Sequence, residues 1–510
     1  MTELLSAFVT VSSPWHLFLI LAGTTLGLLV GALPGLSSPM AIIVLLPITY
    51  SMTPLAAFCV IMGIYVGTKL GGSFASILLR TPGTPAAACT VLDGYPMAQQ
   101  GKASLALGYA AMASAIGGVS SWIIAVAFVP LIASLALHSE PADIALLALA
   151  GLTLVATFTR ASMVRGLMGV LIGLLIASVG YDVQDGIERY TFGSPYMASG
   201  ISFAAVLVGF FGIAVVLADV DMVGKGSSLV STKVGMSLPG LRDLMKRWRA
   251  WTIGSLYGIF IGAIPGVGSD GSVWMAYATV RSQSKNPEAF GKGEPDGIIA
   301  PESSNNGTTG GTMIPMLTLG IPGDGSTAVM LGAMILHGLQ PGVTLMSSSG
   351  DFVYGILASL LYANIFMLIM ALLLVRVFIT LLRRDRSSVF PFVLVFAVIG
   401  AFAENNHIFP VYIAIACGIV GYILEKRGFP VVTIVLGAIL GPIIEYNVRL
   451  GLAYSAGDWM TFVGSWPRAV MAAVIVALVI RESWLGLQRM RQAGRNPPNE
   501  KAITPKEVSE

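Results

Sequence analysis

Apolar runs long enough to cross a bilayer recur along the whole chain, and two of them are broken in mid-run by a Pro-Gly pair. A run of roughly 20 apolar residues spans the hydrocarbon core as a helix. In lipid the backbone must satisfy its own hydrogen bonds, so spanning segments are helical, and irregular backbone survives only where it lines a cavity or meets protein. The expected fold is an all-α polytopic integral membrane protein with broken or re-entrant helices and about 11–14 membrane segments. Composition agrees. Only 11% of the residues are charged, against roughly 25% in soluble domains, and mean hydropathy is +0.81. A net charge of +3 gives no footprint for nucleic acid. The N-terminus lacks the basic flank and small-residue cleavage site of a signal peptide, so the first apolar segment is expected to stay in the mature protein.

The polar links alternate in charge. Basic links occur near Arg160 and Arg165, from Lys225 to Arg249, from Arg376 to Arg386, at Lys426 and Arg427, and after Ile480. The links around His138, Tyr181 to Gly200, Ser347 to Asp351, Glu404 to Phe409 and Tyr446 to Arg468 are poor in Lys and Arg. The positive-inside rule puts the basic set and the C-terminus in the cytoplasm and the N-terminus outside. Within the long basic link, Leu238 to Trp251 suits a short interfacial helix, with a plain topological anchor as the preferred reading.

The chain is internally duplicated. Gly31-Ala32-Leu33-Pro34-Gly35-Leu36-Ser37-Ser38 recurs as Gly262-Ala263-Ile264-Pro265-Gly266-Val267-Gly268-Ser269, an offset of 231. Gly71-Gly72-Ser73 followed by Pro82-Gly83-Thr84 recurs as Gly310-Gly311-Thr312 followed by Pro322-Gly323-Asp324, at offsets of 239 and 240. The charge alternation places corresponding links on opposite sides, the pattern of an inverted-repeat transporter. The expected organisation is a first repeat over 17–224, a basic interfacial linker over 225–249, an inverted second repeat over 250–465, an extra helix over 466–482 and a polar tail over 483–510.

Each Pro-Gly break is expected to end one half-helix and start another. Proline removes a donor and glycine admits conformations that other residues avoid. A half-helix N-terminus offers free N–H groups and a positive dipole end, which suits an anion without a charged side chain. A kink, or a tight contact through small residues, would explain one such motif; four in a duplicated arrangement favour a site. The expected substrate-binding set is Gly35, Leu36, Ser37, Ser38, Lys69, Gly83, Thr84, Gly266, Val267, Gly268, Ser269, Asn305, Asn306, Gly323, Gly325 and Ser326. Asn305 and Asn306 belong to the polar stretch Pro301 to Gly311, which reads equally well as a surface loop. Ionisable groups at membrane depth are functional candidates. Lys69 is expected to meet a substrate carboxylate or to pair with Asp270 across the repeat interface, in preference to snorkelling towards a membrane surface. Asp270, Asp324 and Thr327 are candidates for the coupling ion, Asp324 serving alternatively as a helix N-cap.

No metal or cofactor site is expected beyond a coupling Na+ or H+. Cys59, Cys89 and Cys417 are isolated, and His16, His138, His337 and His407 are scattered. No zinc-type spacing or phosphate-binding loop occurs. An intramembrane enzyme would need a nucleophile–base pair or metal ligands, and an anion channel would fit an inverted repeat poorly.

Leu33 to Leu36, Gly71 to Ser73, Pro82 to Ala86, Leu92-Asp93-Gly94-Tyr95-Pro96-Met97, Arg189 to Gly193, Ala300 to Asn306, Leu319 to Gly323 and Leu440 to Glu445 together carry a family resemblance. From roughly Leu17 to Arg468 the chain resembles TctA, the large membrane subunit of the bacterial tripartite tricarboxylate transporters. The resemblance implies an inner-membrane permease working with a small four-helix membrane subunit (TctB-like) and a periplasmic solute-binding protein (TctC-like). It also implies uptake of tricarboxylates, dicarboxylates or aromatic acids driven by Na+ or H+. Lys69 and Asp270 stand where the family pattern usually has other residues.

Overall fold

The computed structural model describes residues 2–33, 36–158, 163–182, 185–220, 235–381, 390–403 and 406–495. Gly35, Arg160, Lys225, Arg383, Glu404 and the tail beyond 495 lie outside the described residues.

The described chain is almost wholly helical. The first half holds α1 (Thr2–Val11), α2 (Pro14–Ala32), α3 (Ser38–Thr49), α4 (Pro54–Leu79), α5 (Val91–Met97), α6 (Ala103–Ala136), α7 (Pro141–Phe158) and α8 (Met163–Ala177). A two-residue hairpin, β1 (Gly180–Tyr181) with β2 (Glu188–Arg189), leads to α9 (Pro195–Ala198). Then come α10 (Phe203–Leu207) and α11 (Ala214–Val220), joined by a π-helical stretch. The second half holds α12 (Leu241–Lys246), α13 (Trp248–Gly262), α14 (Gly268–Gln283), α15 (Asp296–Leu319), α16 (Gly325–Leu336), α17 (Leu345–Ser348), α18 (Gly350–Leu381), α19 (Phe390–Ala403), α20 (Phe409–Lys426), α21 (Val431–Tyr454) and α22 (Trp466–Arg495). Among the described residues six helices are long and apolar enough to cross a membrane, and six more are shorter and apolar. Leu171 on α8, Phe392 on α19 and Ile419 on α20 face outward and exposed, an arrangement that needs an apolar solvent.

The duplication is a packing pattern. α2 lies against α4 with backbones nearly touching: a Cβ added at Gly23, Gly27 or Gly31 would meet Val60, Ile64 or Thr68 backbone at 2.2–2.5 Å. Positions advance together on both helices, so α2 and α4 run parallel. Two parallel helices flanking a third require the segment between them to turn back, so α3 returns the chain. The second half repeats this. Gly254, Gly258 and Gly262 of α13 pack on Ala300, Ser304 and Thr308 of α15, again parallel, and α14 returns the chain. Gly67 and Gly71 correspond to Gly307 and Gly311, which face Ser255 and Ile259. A single offset of 240 therefore covers the second motif.

The equivalent helices α4 and α15 run antiparallel to each other. Tyr65 reaches Thr312, Lys69 reaches Thr308, and Ser73 reaches Glu302. Each half carries its own parallel pair, and the halves meet head to tail.

Contacts also group the links. Arg468 pairs with Asp143 at 2.6 Å, Arg189 with Glu445 at 2.6 Å, Arg449 with Asp182 at 2.9 Å, and Tyr196 stacks on Phe409. These tie together links of the set poor in basic residues. Arg247, just after the short helix α12, holds Glu294 and Asp296 at 2.8 Å each, joining links at the other end.

Candidate functional site

The breaks converge. Gly266 takes a positive φ of 80° and donates its N–H to Gly323 O at 2.8 Å, so the tips of the two second-half motifs are bonded to each other. Gly268, at φ +50°, opens α14 against Asp324; a Cβ there would lie 2.7 Å from the Asp324 Cβ. Gly325 opens α16 beside Pro39 of α3, with 3.3 Å available to an added Cβ. The N-termini of α3, α14 and α16 therefore meet in one region. In the first half Gly83 occupies the place Gly323 has in the second: it donates to Gly72 O, and a Cβ on it would strike Gly31 O. The segment after Gly83 departs from the duplication, with a 3-10 turn at Ala86–Ala88 and the short α5 instead of a full half-helix.

Lys69 sits at the centre, 4% exposed. Its Nζ donates to Ser269 Oγ at 2.9 Å, to Thr308 Oγ1 at 3.4 Å and to Asp324 Oδ2 at 3.4 Å. It also lies 5.0 Å from the centroid of the Tyr65 ring. An ammonium has three donors, and all three are occupied. The Tyr65 hydroxyl donates to the same Asp324 oxygen at 3.2 Å and lies 2.9 Å from Thr312 Oγ1. Asp324 is both N-cap and ion partner. Its Oδ1 accepts from the Thr327 N–H in a capping box that also commits the Thr327 hydroxyl, while its Oδ2 serves Lys69 and Tyr65. The expected pair of Lys69 with Asp270 is corrected by this geometry: Asp324 takes the lysine, and Asp270 is exposed. Ser269 and Asp270 are adjacent on α14, so about 100° of helical rotation turns one outward when the other faces in.

The stretch Pro301 to Gly311 is buried helix within α15, which removes the surface-loop reading. Asn305 Nδ2 donates to Lys69 O at 3.3 Å. Its Oδ1, and both polar atoms of the Asn306 side chain, are buried with no partner among the described residues. Thr84 Oγ1 is likewise buried and unpartnered. Unsatisfied buried amides are costly and uncommon, which makes these groups candidates for contact with a polar ligand. Leu36, Ser38 and Ser326 are buried around the same convergence, with Ser37 and Val267 half-buried.

Four participants were not singled out by sequence reasoning. Thr68 Oγ1 lies 2.6 Å from Ser38 Oγ, in hydrogen-bond contact, and Thr308 is its duplicate. Tyr65 bridges the halves. Glu302, wholly buried, accepts from Ser73 at 2.6 Å, from Ser114 at 3.1 Å and from Thr90. The offset of 240, applied to every hydroxyl residue on α4, would have found Thr68 and Thr308. Glu302 had a signal only in being the acidic residue of the polar stretch. Asp93, also buried, has a holding role: Oδ1 accepts N–H bonds from Gly291, Gly293 and Glu294, and Oδ2 accepts from Tyr277. It fastens the α14–α15 link to α5.

Known proteins give this geometry a context. The family model described as "Tripartite tricarboxylate transporter TctA family" matches residues 17–436. A relative from Agrobacterium vitis, described as "Uncharacterized 52.8 kDa protein in TAR-I ttuC' 3'region", is 35% identical over 93% of this chain and 94% of its own length. A second from the same organism, "Uncharacterized protein in TAR-II ttuC' 3'region", is 36% identical over 40% of this chain and 85% of its own. No solved structure matches significantly. With the match spanning the duplicated halves and the convergent breaks, the chain, a multi-pass membrane protein, belongs to the tripartite tricarboxylate transporter TctA family.

Proposed function

We propose that the chain is the large permease subunit of a bacterial inner-membrane, binding-protein-dependent importer of a small carboxylate, driven by a Na+ or H+ gradient. The observation that carries this reading is the convergence of the N-termini of α3, α14 and α16 around the buried Lys69, whose backbone oxygen holds the Asn305 carboxamide. The free N–H groups of helix N-termini suit a carboxylate. The antiparallel meeting of α4 and α15 supports alternating access, in which two inverted halves rock around a shared site. On this reading the N-terminus is periplasmic and the C-terminus cytoplasmic. A small four-helix subunit and a periplasmic solute-binding protein complete the machine. The periplasmic protein delivers the solute, and the permease reads mainly its carboxylate.

The test is uptake of a radiolabelled carboxylate, first identified as the ligand of the co-encoded binding protein. Uptake is measured in cells expressing all three components. Asn305→Ala with Asn306→Ala is expected to abolish uptake at unchanged membrane abundance, and dissipating the ion gradients is expected to stop the wild type. Normal uptake by the double variant would remove these residues from the site. Uptake that persists without a gradient would remove the coupled mechanism.

A further inference from the structure

The two halves of the site differ in one informative respect. In the first half, Thr68 and Ser38 bond each other directly at 2.6 Å, and Thr68 also donates to Tyr65 O. In the second half, the equivalent Thr308 donates to Asn305 O in the same way. Its partner hydroxyl, Ser269, is instead joined to it through the Lys69 ammonium. Asp324 stands where the first half has the neutral Thr84, and supplies a carboxylate oxygen to the same ammonium. The second half thus surrounds a positive charge with two hydroxyl oxygens and one carboxylate oxygen, at the mouth of a capped helix. All-oxygen ligation that includes a carboxylate suits a hard cation. The cation present belongs to the chain itself.

We infer that Lys69 is a tethered cation: its ammonium fills an oxygen-lined monovalent-cation site built from Ser269, Thr308 and Asp324, and makes that site independent of free sodium. The inference rests on the proposed transport reading only for its consequence, that solute uptake by the wild type carries one sodium fewer than uptake by a chain lacking this lysine. Lys69 is then not a partner for the substrate carboxylate. With the ammonium's three donors already engaged, a substrate carboxylate would have to displace Asp324 or a hydroxyl to reach it.

The test counts sodium on the purified full-length chain in lipid nanodiscs, with radioactive sodium as the probe and choline chloride holding ionic strength constant. Lys69→Ala is expected to bind one more sodium per chain than the wild type and to gain sodium-dependent thermal stability that the wild type lacks. Adding Asp324→Asn to Lys69→Ala is expected to cancel both gains. Equal sodium counts in wild type and Lys69→Ala would overturn the proposal. Lys69→Met, which keeps the apolar stem, is the second variant. If neither variant folds even in sodium, the proposal also fails, because sodium should complete the vacated site. Sodium is counted without uptake, so the count decides this proposal whatever the uptake test returns for the transport reading.

Discussion

Gly31→Ala tests the architecture in a way that sequence equivalence cannot. Gly31 and Gly262 are duplicates, yet their surroundings differ. A Cβ at Gly31 would lie 2.5 Å from Thr68 O and 2.7 Å from Thr68 Cα, both backbone atoms of the parallel helix α4. A Cβ at Gly262 would lie 3.1 Å from Thr308 Cα and 3.2–3.3 Å from its side-chain carbons. Ordinary contact begins near 3.4 Å. At Gly31, α2 and α4 must therefore part by most of an ångström, because no rotamer change relieves a backbone clash. At Gly262 a few tenths suffice. Overpacking costs typically about 1–3 kcal/mol, set against a helix-propensity gain for alanine of up to about 1 kcal/mol. Gly31→Ala should fall at the destabilising end, by about 2 kcal/mol. Gly262→Ala should lie close to neutral. Gly350→Ala, with nothing within 4 Å, should be neutral or slightly stabilising. Separating α2 from α4 also shifts the Ser38–Thr68 tip, so uptake should fall more than stability in Gly31→Ala. The assay is the unfolding midpoint of each purified variant in one detergent, paired with uptake. If Gly31→Ala is as stable as Gly350→Ala, the parallel close packing of α2 on α4, and with it the return of the chain through α3, is refuted.

Asp324→Asn should cost about 3–5 kcal/mol, because it leaves the Lys69 ammonium buried without its counter-charge. At 3.4 Å and an effective dielectric of about 20 the pair interacts by about 5 kcal/mol. Lys69→Met combined with Asp324→Asn should recover much of the loss, and strict additivity in that cycle would show the two groups to be uncoupled. Glu302→Ala should destabilise by about 3 kcal/mol, orphaning the hydroxyls of Ser73, Thr90 and Ser114. Glu302→Gln should cost less, since hydroxyls can reverse to accept from an amide; equal midpoints for wild type and Glu302→Ala would refute the hydroxyl cage.

Much of the fold was legible because its signals are local or periodic. Apolar length marked the helices, Pro-Gly marked their ends, and a fixed offset exposed the duplication. Gly67 with Gly307 and Gly71 with Gly311 show why that offset was slightly blurred in the sequence: adjacent glycines at 71–72 and 310–311 align two ways, and only the packing on α2 and α13 selects one. The site was legible in part. Lys69, Ser269, Asp324 and Asn305 were visible as polar candidates, and they are brought together. Who bonds whom was not. Asp270 and Asp324 are equally acidic in the sequence, and the rotation of α14 decides between them. Glu302 was invisible as a hub because its three donors come from α4, from the turn before α5 and from α6.

The sequence by itself determined that this chain lives in lipid, that four Pro-Gly motifs punctuate its apolar runs, and that those motifs come in duplicated pairs. Each follows from a property a residue carries with it: apolarity, a missing N–H, a missing Cβ. The tertiary structure decided that α2 and α4 run parallel, that α4 meets α15 head to tail, and that the lysine's charge is spent on Ser269, Thr308 and Asp324. Those outcomes depend on how far apart backbones come to rest and which way a helix is turned, and no residue type encodes either alone.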